Sequence, residues 1–210
     1  MSLAAGHPNP AAAERGAPPS PAAVLLAAGR GSRFHGSVPK LRAESKGEPL
    51  IRWAIHAVIA SGLPGPYVVT GGADLTDLLD GATEVPNDDW TKGLATSLRA
   101  GIAAAARDGH DTVVVALADQ PGISPDVWLA VASERRTPIA IATYDGVRGH
   151  PVRLAAEVWD DLPVTGEDGG RLLMREHPEL VTEVPCSSGT ALDIDTTEDL
   201  DQFNSPTRSA

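Results

Sequence analysis

Short, almost wholly apolar runs alternate along this chain with longer segments whose apolar residues recur every three or four positions. Ala22–Ala28 (AAVLLAA) closes on a glycine and has the unbroken apolar character of a strand buried on both faces. Tyr67–Thr70 and the three-valine run Thr112–Ala118 read the same way. Ile139–Thr143 predicts a further strand, followed by an Asp145-Gly146 turn and a second short strand near Pro151–Leu154. Two more strands are expected near 180–184 and 191–194. Between them the period lengthens. Pro49–Ser61 puts Ile51, Ala54, Ile55, Val58 and Ile59 on one helical face, and Gly62 stops it. Asp74–Leu79 predicts a helical turn, and Leu94–Arg107 an alanine-rich helix ending before Asp108-Gly109. Ser124 can cap a helix through Ser133, with Pro125 at its first position, where a missing N–H costs nothing. Helical pieces near 155–161 and 168–177 and a last helix from Thr196 complete the series.

Buried strands alternating with helices call for an α/β fold of three layers, a mainly parallel sheet with helices on both faces. In such sheets ligands bind beyond the carboxyl ends of the strands, where strand order reverses, so the loops that leave the strands are where chemistry is expected. Residues 22–204 read as one domain. The Ala/Pro-rich, aperiodic segment 1–21 reads as a disordered tail rather than a secretory signal, and 205–210 as a short frayed end.

Composition narrows the classes. In 210 residues, 17 Lys+Arg face 28 Asp+Glu, a net charge of -11, which disfavours non-specific nucleic-acid binding. Cys186 is alone, so no disulfide framework exists. The longest apolar runs fall well short of the ~18 residues that cross a bilayer. A soluble, cytoplasmic protein is the expectation.

Three loops carry candidate chemistry. The first runs Leu26-Ala27-Ala28-Gly29-Arg30-Gly31-Ser32-Arg33, with Lys40 beyond it. Glycines bring backbone N–H groups against a phosphate, and Arg33 and Lys40 supply positive charge. An ordinary strand-to-helix turn would also fit, but two cations in one loop of an acidic chain favour anion binding. Neither familiar phosphate fingerprint is present: Phe34 stands where a dinucleotide loop needs its third glycine, and Gly36 is followed by Ser37-Val38 rather than Lys-Ser/Thr. The second loop, Leu117-Ala118-Asp119-Gln120-Pro121-Gly122, ends the valine strand on a carboxylate. Asp119 is either a Mg²⁺ ligand or a loop cap. Asp193 and Asp195 offer further carboxylates, with Asp195 or Thr196 alternatively capping the last helix. The third cluster, Asn87 through Leu98, joins polar residues and Gly93 to a helix start, which presents N–H groups to a base or an acceptor or simply forms a capped helix. His150-Pro151 after Gly149 either lines a pocket or is structural. The six histidines show no metal-ligand spacing, and no Gly-x-Ser-x-Gly elbow occurs.

Taken in order, LAAGRGSRF with Lys40, NDDWTKGLATSLRAG, LADQPGIS, GHPV and DIDTTEDL resemble the MobA-like nucleotidyltransferases across Val24–Leu200. Within that family the chain is most similar to the molybdenum cofactor cytidylyltransferases. The resemblance implies a Rossmann-like fold of the nucleotide-diphospho-sugar transferase type. It implies Mg²⁺-dependent transfer from CTP to a molybdopterin-type phosphate, releasing pyrophosphate. Leu26, Ala27, Ala28, Gly29, Arg30, Gly31, Ser32, Thr70, Gly93 and Ser97 would then bind nucleotide, with Arg33, Lys40 and Asp119 catalytic. Asp119, Asp193 and Asp195 would be the metal carboxylates, and Asn87, Gly149 and His150 would face the acceptor. A molybdenum hydroxylase is the implied protein partner, and neither nucleic acid nor membrane is. Two departures stand out: Lys40 comes about two residues later than the family's spacing, and Gly166-Glu167-Asp168-Gly169-Gly170-Arg171 stands for Gly-Asp-x-Gly-Ala-Arg. A branch of the same family is associated with NAD(P)H-dependent reduction of a quinonoid pigment (nicotine blue oxidoreductase), which provides a second reading. A third is a non-catalytic carrier of molybdenum cofactor, against which the carboxylate of Asp119 argues.

Overall fold

The computed structural model describes residues 20–205 apart from Ala191. The expected tail 1–21 therefore lies outside the described residues except for Ser20 and Pro21, and the expected frayed end except for Ser205. In chain order the strands are β1 (Ala22–Leu26), the two-residue β2 (Glu44–Ser45) and β3 (Glu48–Pro49), β4 (Tyr67–Thr70), β5 (Thr83–Pro86), β6 (Thr112–Leu117), β7 (Ile139–Tyr144), β8 (Val147–Ala155) and β9 (Val181–Pro185). The α-helices are α1 (Leu50–Ser61), α2 (Leu94–Arg107), α3 (Pro125–Ser133), α4 (Arg171–Glu176) and α5 (Thr197–Asn204).

Seven strands form one sheet in the order β5-β4-β1-β6-β8-β7-β9, while β2 and β3 pair separately. Neighbours in the large sheet are parallel except at β8, which runs against both β6 and β7. The reversal is written into Asp145-Gly146. Both residues have positive φ (50° and 79°), the backbone of a two-residue turn whose twist suits a hairpin. The sheet is buried on both faces, and β1 shows how. Ala22, Val24 and Leu26 point into a core that α2 and α4 close with Leu98, Ile102 and Leu173. Ala23 and Leu25 point into the opposite core, closed by Ile51, Ile55 and Val58 of α1 and Val127 and Trp128 of α3. Helix α2 comes close enough to the sheet that a Cβ on Gly101 would stand 2.5 Å from Val24 Cγ1. The three-layer α/β expectation is met. Among the described residues, no helix is long and apolar enough to cross a membrane.

Several local expectations are corrected. Ile59 is 46% exposed. At 100° per residue it lies about 80° round the helix from Ile51, at the edge of the stripe rather than in it. Strand β5 had no apolar run to announce it, since Val85 alone is buried in an edge strand that ends on Pro86. The strand near Pro151–Leu154 begins four residues earlier, at Val147. The piece near 155–161 is a single 3₁₀ turn, Ala156–Val158, and the one near 168–177 shortens to α4. No strand forms at 192–194: Leu192 is 68% exposed and Ile194 alone is buried.

Strand order grows outward from β1 through β4 to β5, and the chain then crosses back through α2 to lay β6 on the other side of β1. Order reverses between β1 and β6, where a ligand-binding crevice belongs.

Candidate active site

The loop leaving β1 is held open by its neighbours. Ala27 N–H donates to Val69 O at 2.9 Å, and Ala28 O accepts from Gly72 N–H at 2.9 Å, tying the loop to the one after β4. Gly31 adopts φ 61°, and a Cβ there would stand 2.9 Å from Lys40 Cβ. A glycine is needed both for the turn and for the return of Lys40 across it. The longer spacing before Lys40 is taken up by His35–Pro39, all exposed, after which a 3₁₀ turn (Lys40–Arg42) buries Leu41 and aims Lys40 back inward.

Across the reversal, Ala118 N–H donates to Leu26 O at 3.0 Å and so sets Asp119 beside the glycine loop. Lys40 Nζ donates to Asp119 Oδ2 at 2.5 Å and to Asp195 Oδ1 at 3.2 Å. Arg33, itself well exposed, pairs with Asp195 Oδ2 at 3.0 Å. Burial pushes the Asp119 carboxyl above its usual value, against the pull of Lys40, with Asp193 and Asp195 adding repulsion. Burial alone would lower Lys40, but the two carboxylates outweigh it and hold the ammonium above its ordinary value. Asp195 is placed by the start of α5. Thr196, not Asp195, is the cap: its hydroxyl accepts from Asp199 N–H, and Asp199 Oδ2 accepts from the N–H groups of Thr196 and Asp195. Ile194 N–H donates to Asp119 O at 3.0 Å, which pins that segment to the end of β6.

The three expected metal carboxylates do not converge on one point. Asp119 and Asp195 meet at Lys40, while Asp193 Oδ1 accepts from Gln120 Nε2 at 2.6 Å. Among the described residues no three His, Cys, Asp or Glu side chains gather as a metal cluster. Asp119 Oδ1, however, is buried without a hydrogen-bond partner among the described residues, an acceptor left for a ligand. Mg²⁺ takes one or two carboxylates and completes its shell with phosphate oxygens and water. Asp119 with Asp195 fits that donor set; Asp193 stands apart.

The glycine loop from Leu26 to Arg33, Lys40, Asp119, Asp193, Asp195 and Ser97 line one cavity of about 550 Å³. Trp90, Thr91, Leu94 and Glu167 line it too, and sequence reasoning had not assigned them. Trp90 packs where a Cβ on Gly71 would fall within 2.8 Å of its ring, and the Arg30 guanidinium lies over that ring at 5.1 Å. Arg30 is thus spent on a cation–π contact at the cavity's edge. A tryptophan in a polar loop opposite a glycine pair was the available signal. Asn87, Thr70 and Gly93 lie outside the cavity lining. Asn87 Nδ2 donates to Thr96 and Ser97 hydroxyls at 3.0 Å, and its Oδ1 accepts from Asp89 N–H, so its amide fastens the start of α2. Thr70 donates to Glu84 at 2.8 Å. Gly93, at φ 108°, lets the chain pass the Gly166 backbone, which a Cβ would approach to 2.5 Å.

Gly149 and His150 line a second cavity of about 650 Å³, which shares Leu117 and Asp193 with the first. They reach it through a bulge: Ile141 pairs with Val152 and Ala142 with Gly149, leaving His150 and Pro151 extra on β8. Tyr144 Oη donates to His150 O at 2.8 Å and fixes the bulge. Burial, with the Arg171 cation adding to it and Asp119 opposing, pushes His150 down to about 4, so the ring is neutral near pH 7.

A family model described as the MobA-like NTP transferase domain matches residues 23–181. Nicotine blue oxidoreductase of Paenarthrobacter nicotinovorans is 33% identical over 192 residues, covering 84% of this chain and 93% of that protein. The 2-C-methyl-D-erythritol 4-phosphate cytidylyltransferase of Xanthomonas campestris pv. campestris (strain B100) is 33% identical over 154 residues, 70% of this chain and 54% of that enzyme. Among solved structures, a nucleotidyl transferase from Methanothermobacter thermautotroptrophicus superposes with a TM-score of 0.74 at 26% identity, covering 87% of this chain and 96% of that one.

Proposed function

From the premise that this chain belongs to the MobA-like NTP transferase family, we propose that it is a divalent-metal-dependent nucleotidyltransferase that moves the CMP group of CTP onto a molybdopterin-type phosphate and releases pyrophosphate. One observation carries the reading. Lys40 bridges Asp119 and Asp195 directly over the glycine loop, in one cavity at the reversal of strand order. In this transfer an acceptor phosphate oxygen attacks the α-phosphorus while the bond to the leaving pyrophosphate breaks. Side chains do little covalent work, so positioning and neutralisation of charge supply the rate.

Backbone N–H groups of Gly29–Ser32 would take the phosphates, with Arg33 and Lys40 as their cations. To meet them, Lys40 exchanges part of its carboxylate contacts for phosphate oxygens. Asp119 and Asp195 would hold Mg²⁺, which when bound neutralises the phosphates that the two cations do not reach. Gln120 keeps Asp193 turned aside. His150, neutral, can offer a hydrogen bond but no charge to the acceptor. A molybdenum hydroxylase in the cytoplasm would be the destination of the product.

The test compares CTP, GTP and NADPH side by side, with a pterin phosphate as acceptor. Pyrophosphate release from CTP that needs Mg²⁺ and disappears in Asp119→Ala is the expected result. A second reading, NAD(P)H-dependent reduction of a quinonoid pigment, is favoured by the similarity to nicotine blue oxidoreductase over nearly that protein's whole length. It predicts chelator-insensitive loss of NADPH absorbance and no pyrophosphate.

A further inference from the structure

The second cavity has a feature that the nucleotide reading does not use. In a chain carrying net charge -11, three arginines (Arg148, Arg171 and Arg175) line this one space. Arg148 is engaged by Glu183 at 2.8 Å. Arg171 and Arg175 form no ion pair among the described residues, although 28 acidic residues compete for 17 basic ones. They stand four positions apart on α4, one turn along a single helix face. Leu173 and Met174 between them anchor that helix in the core, so the guanidinium pair is carried on a fixed mount.

Ile141, Val152, Met174 and Pro178 give the cavity an apolar side, and Gln120 and His150 add polar groups. The wall nearest the nucleotide is the shared Leu117 and Asp193. Arg171 and His150 line this same cavity, and the Arg171 cation helps to keep the His150 ring neutral. Guanidinium forks match phosphate oxygens two at a time, and a pair of them matches a dianion.

We infer that Arg171 and Arg175 grip the phosphate of the acceptor, and that the cavity selects a phosphomonoester carried on a flat or apolar body. This rests on the nucleotidyl-transfer reading for what happens to that phosphate, but binding can be measured apart from turnover. A neutral acceptor is a poor match, because it would leave both cations in the cavity without an anion.

The probe is 4-methylumbelliferyl phosphate, a fluorescent flat phosphomonoester, titrated into the full chain with 4-methylumbelliferone and inorganic phosphate as comparisons. Binding of CTP with Mg²⁺ and the melting temperature are followed in parallel. Expected is saturable binding of the ester that is stronger than that of either comparison. Arg175→Gln should weaken it roughly ten- to hundredfold, the worth of a charge-assisted hydrogen bond. Arg175→Lys should recover part of the loss, and Arg171→Gln combined with Arg175→Gln should remove it, with CTP affinity and melting temperature unchanged. The assignment is overturned if the dephosphorylated probe binds as well as the ester, or if the arginine variants bind the ester like the parent while still binding CTP. If CTP fails to bind the parent while the ester binds and responds to the variants, nucleotidyl transfer fails and the arginine grip stands.

Discussion

At the scale of the residue, the site is a matter of three charges brought to one point. Asp119 is held in surroundings that raise its pKa, and Lys40 is the ammonium that answers it. Lys40→Met leaves two carboxylates facing each other without their shared cation. Removing one partner of a buried or partly buried pair costs on the order of 1–3 kcal/mol of stability, less where water still reaches the survivor. We expect pyrophosphate release to fall by at least about a hundredfold, as when one transition-state donor is lost. We also expect added Mg²⁺ to raise the melting temperature of Lys40→Met more than that of the parent, because a dication can then occupy the ground Lys40 held. An equal shift in both proteins would show that Lys40 and the metal do not share the two carboxylates. The sequence made each of these residues visible on its own: a basic residue after a glycine loop, an acid at the end of a valine strand, an acid near the last helix. It did not show that Asp193 turns to Gln120 while Asp195 turns to Lys40. Those two aspartates are separated by one residue, and the Ile194–Asp119 bond together with the capping box of α5 sets which partner each meets.

At the scale of the element, the long periodic segments were legible and the irregular ones were not. α1, α2, β1 and β6 follow from runs of apolar residues whose period is unmistakable, whereas β5 and the 192–194 segment follow from pairings the local sequence does not record. β5 is a strand because Val68 and Val69 of β4 lie beside it. Residues 192–194 stay out of the sheet, and the segment is tethered instead by the bond from Ile194 to Asp119. The same lesson applies to Gly93: besides the nucleotide contact expected of it, it is the point where α2 slips past the Gly166 backbone. Gly93→Ala would place a side chain at φ 108° against main chain that cannot rotate away. Strain of this kind costs about 1–3 kcal/mol, so a lower urea midpoint is expected. Because Leu94 and Ser97 line the proposed nucleotide cavity from the next turn, nucleotide affinity should weaken with it. Unchanged CTP binding at a lowered midpoint would separate the fold of α2 from the cavity it borders.

For the whole molecule, a half-buried neutral histidine ties folding to pH. His150 is pushed from 6.5 down to about 4 in the folded chain. Unfolded, it takes up a proton below 6.5; folded, it resists until about 4. Its contribution to stability is therefore complete above 6.5 and is lost as the pH falls through that window. The parent should lose melting temperature more steeply than His150→Asn between pH 6.5 and 4. Parallel curves would assign the acid sensitivity to other groups. The topology that makes such a site, with β1 and β6 adjacent and β8 reversed between β6 and β7, was legible only as a class. Strand order depends on which apolar surfaces meet, and several arrangements satisfy the same alternation.

The seat of α5 carries a consequence for how the molecule comes together. Phe203 meets the Trp53 ring edge-on, Lys46 lies over Phe203 at 4.7 Å, and Ser45 donates to Asn204, so the final helix is fastened to the small β2–β3 ribbon that follows Lys40. The counter-charge that Asp195 offers Lys40 is thus delivered by a segment that follows every strand of the sheet. A ribosome can finish every strand of the sheet and still have made only half of the electrostatic lock, so under the proposed reading a grip on polyphosphate waits until α5 has docked.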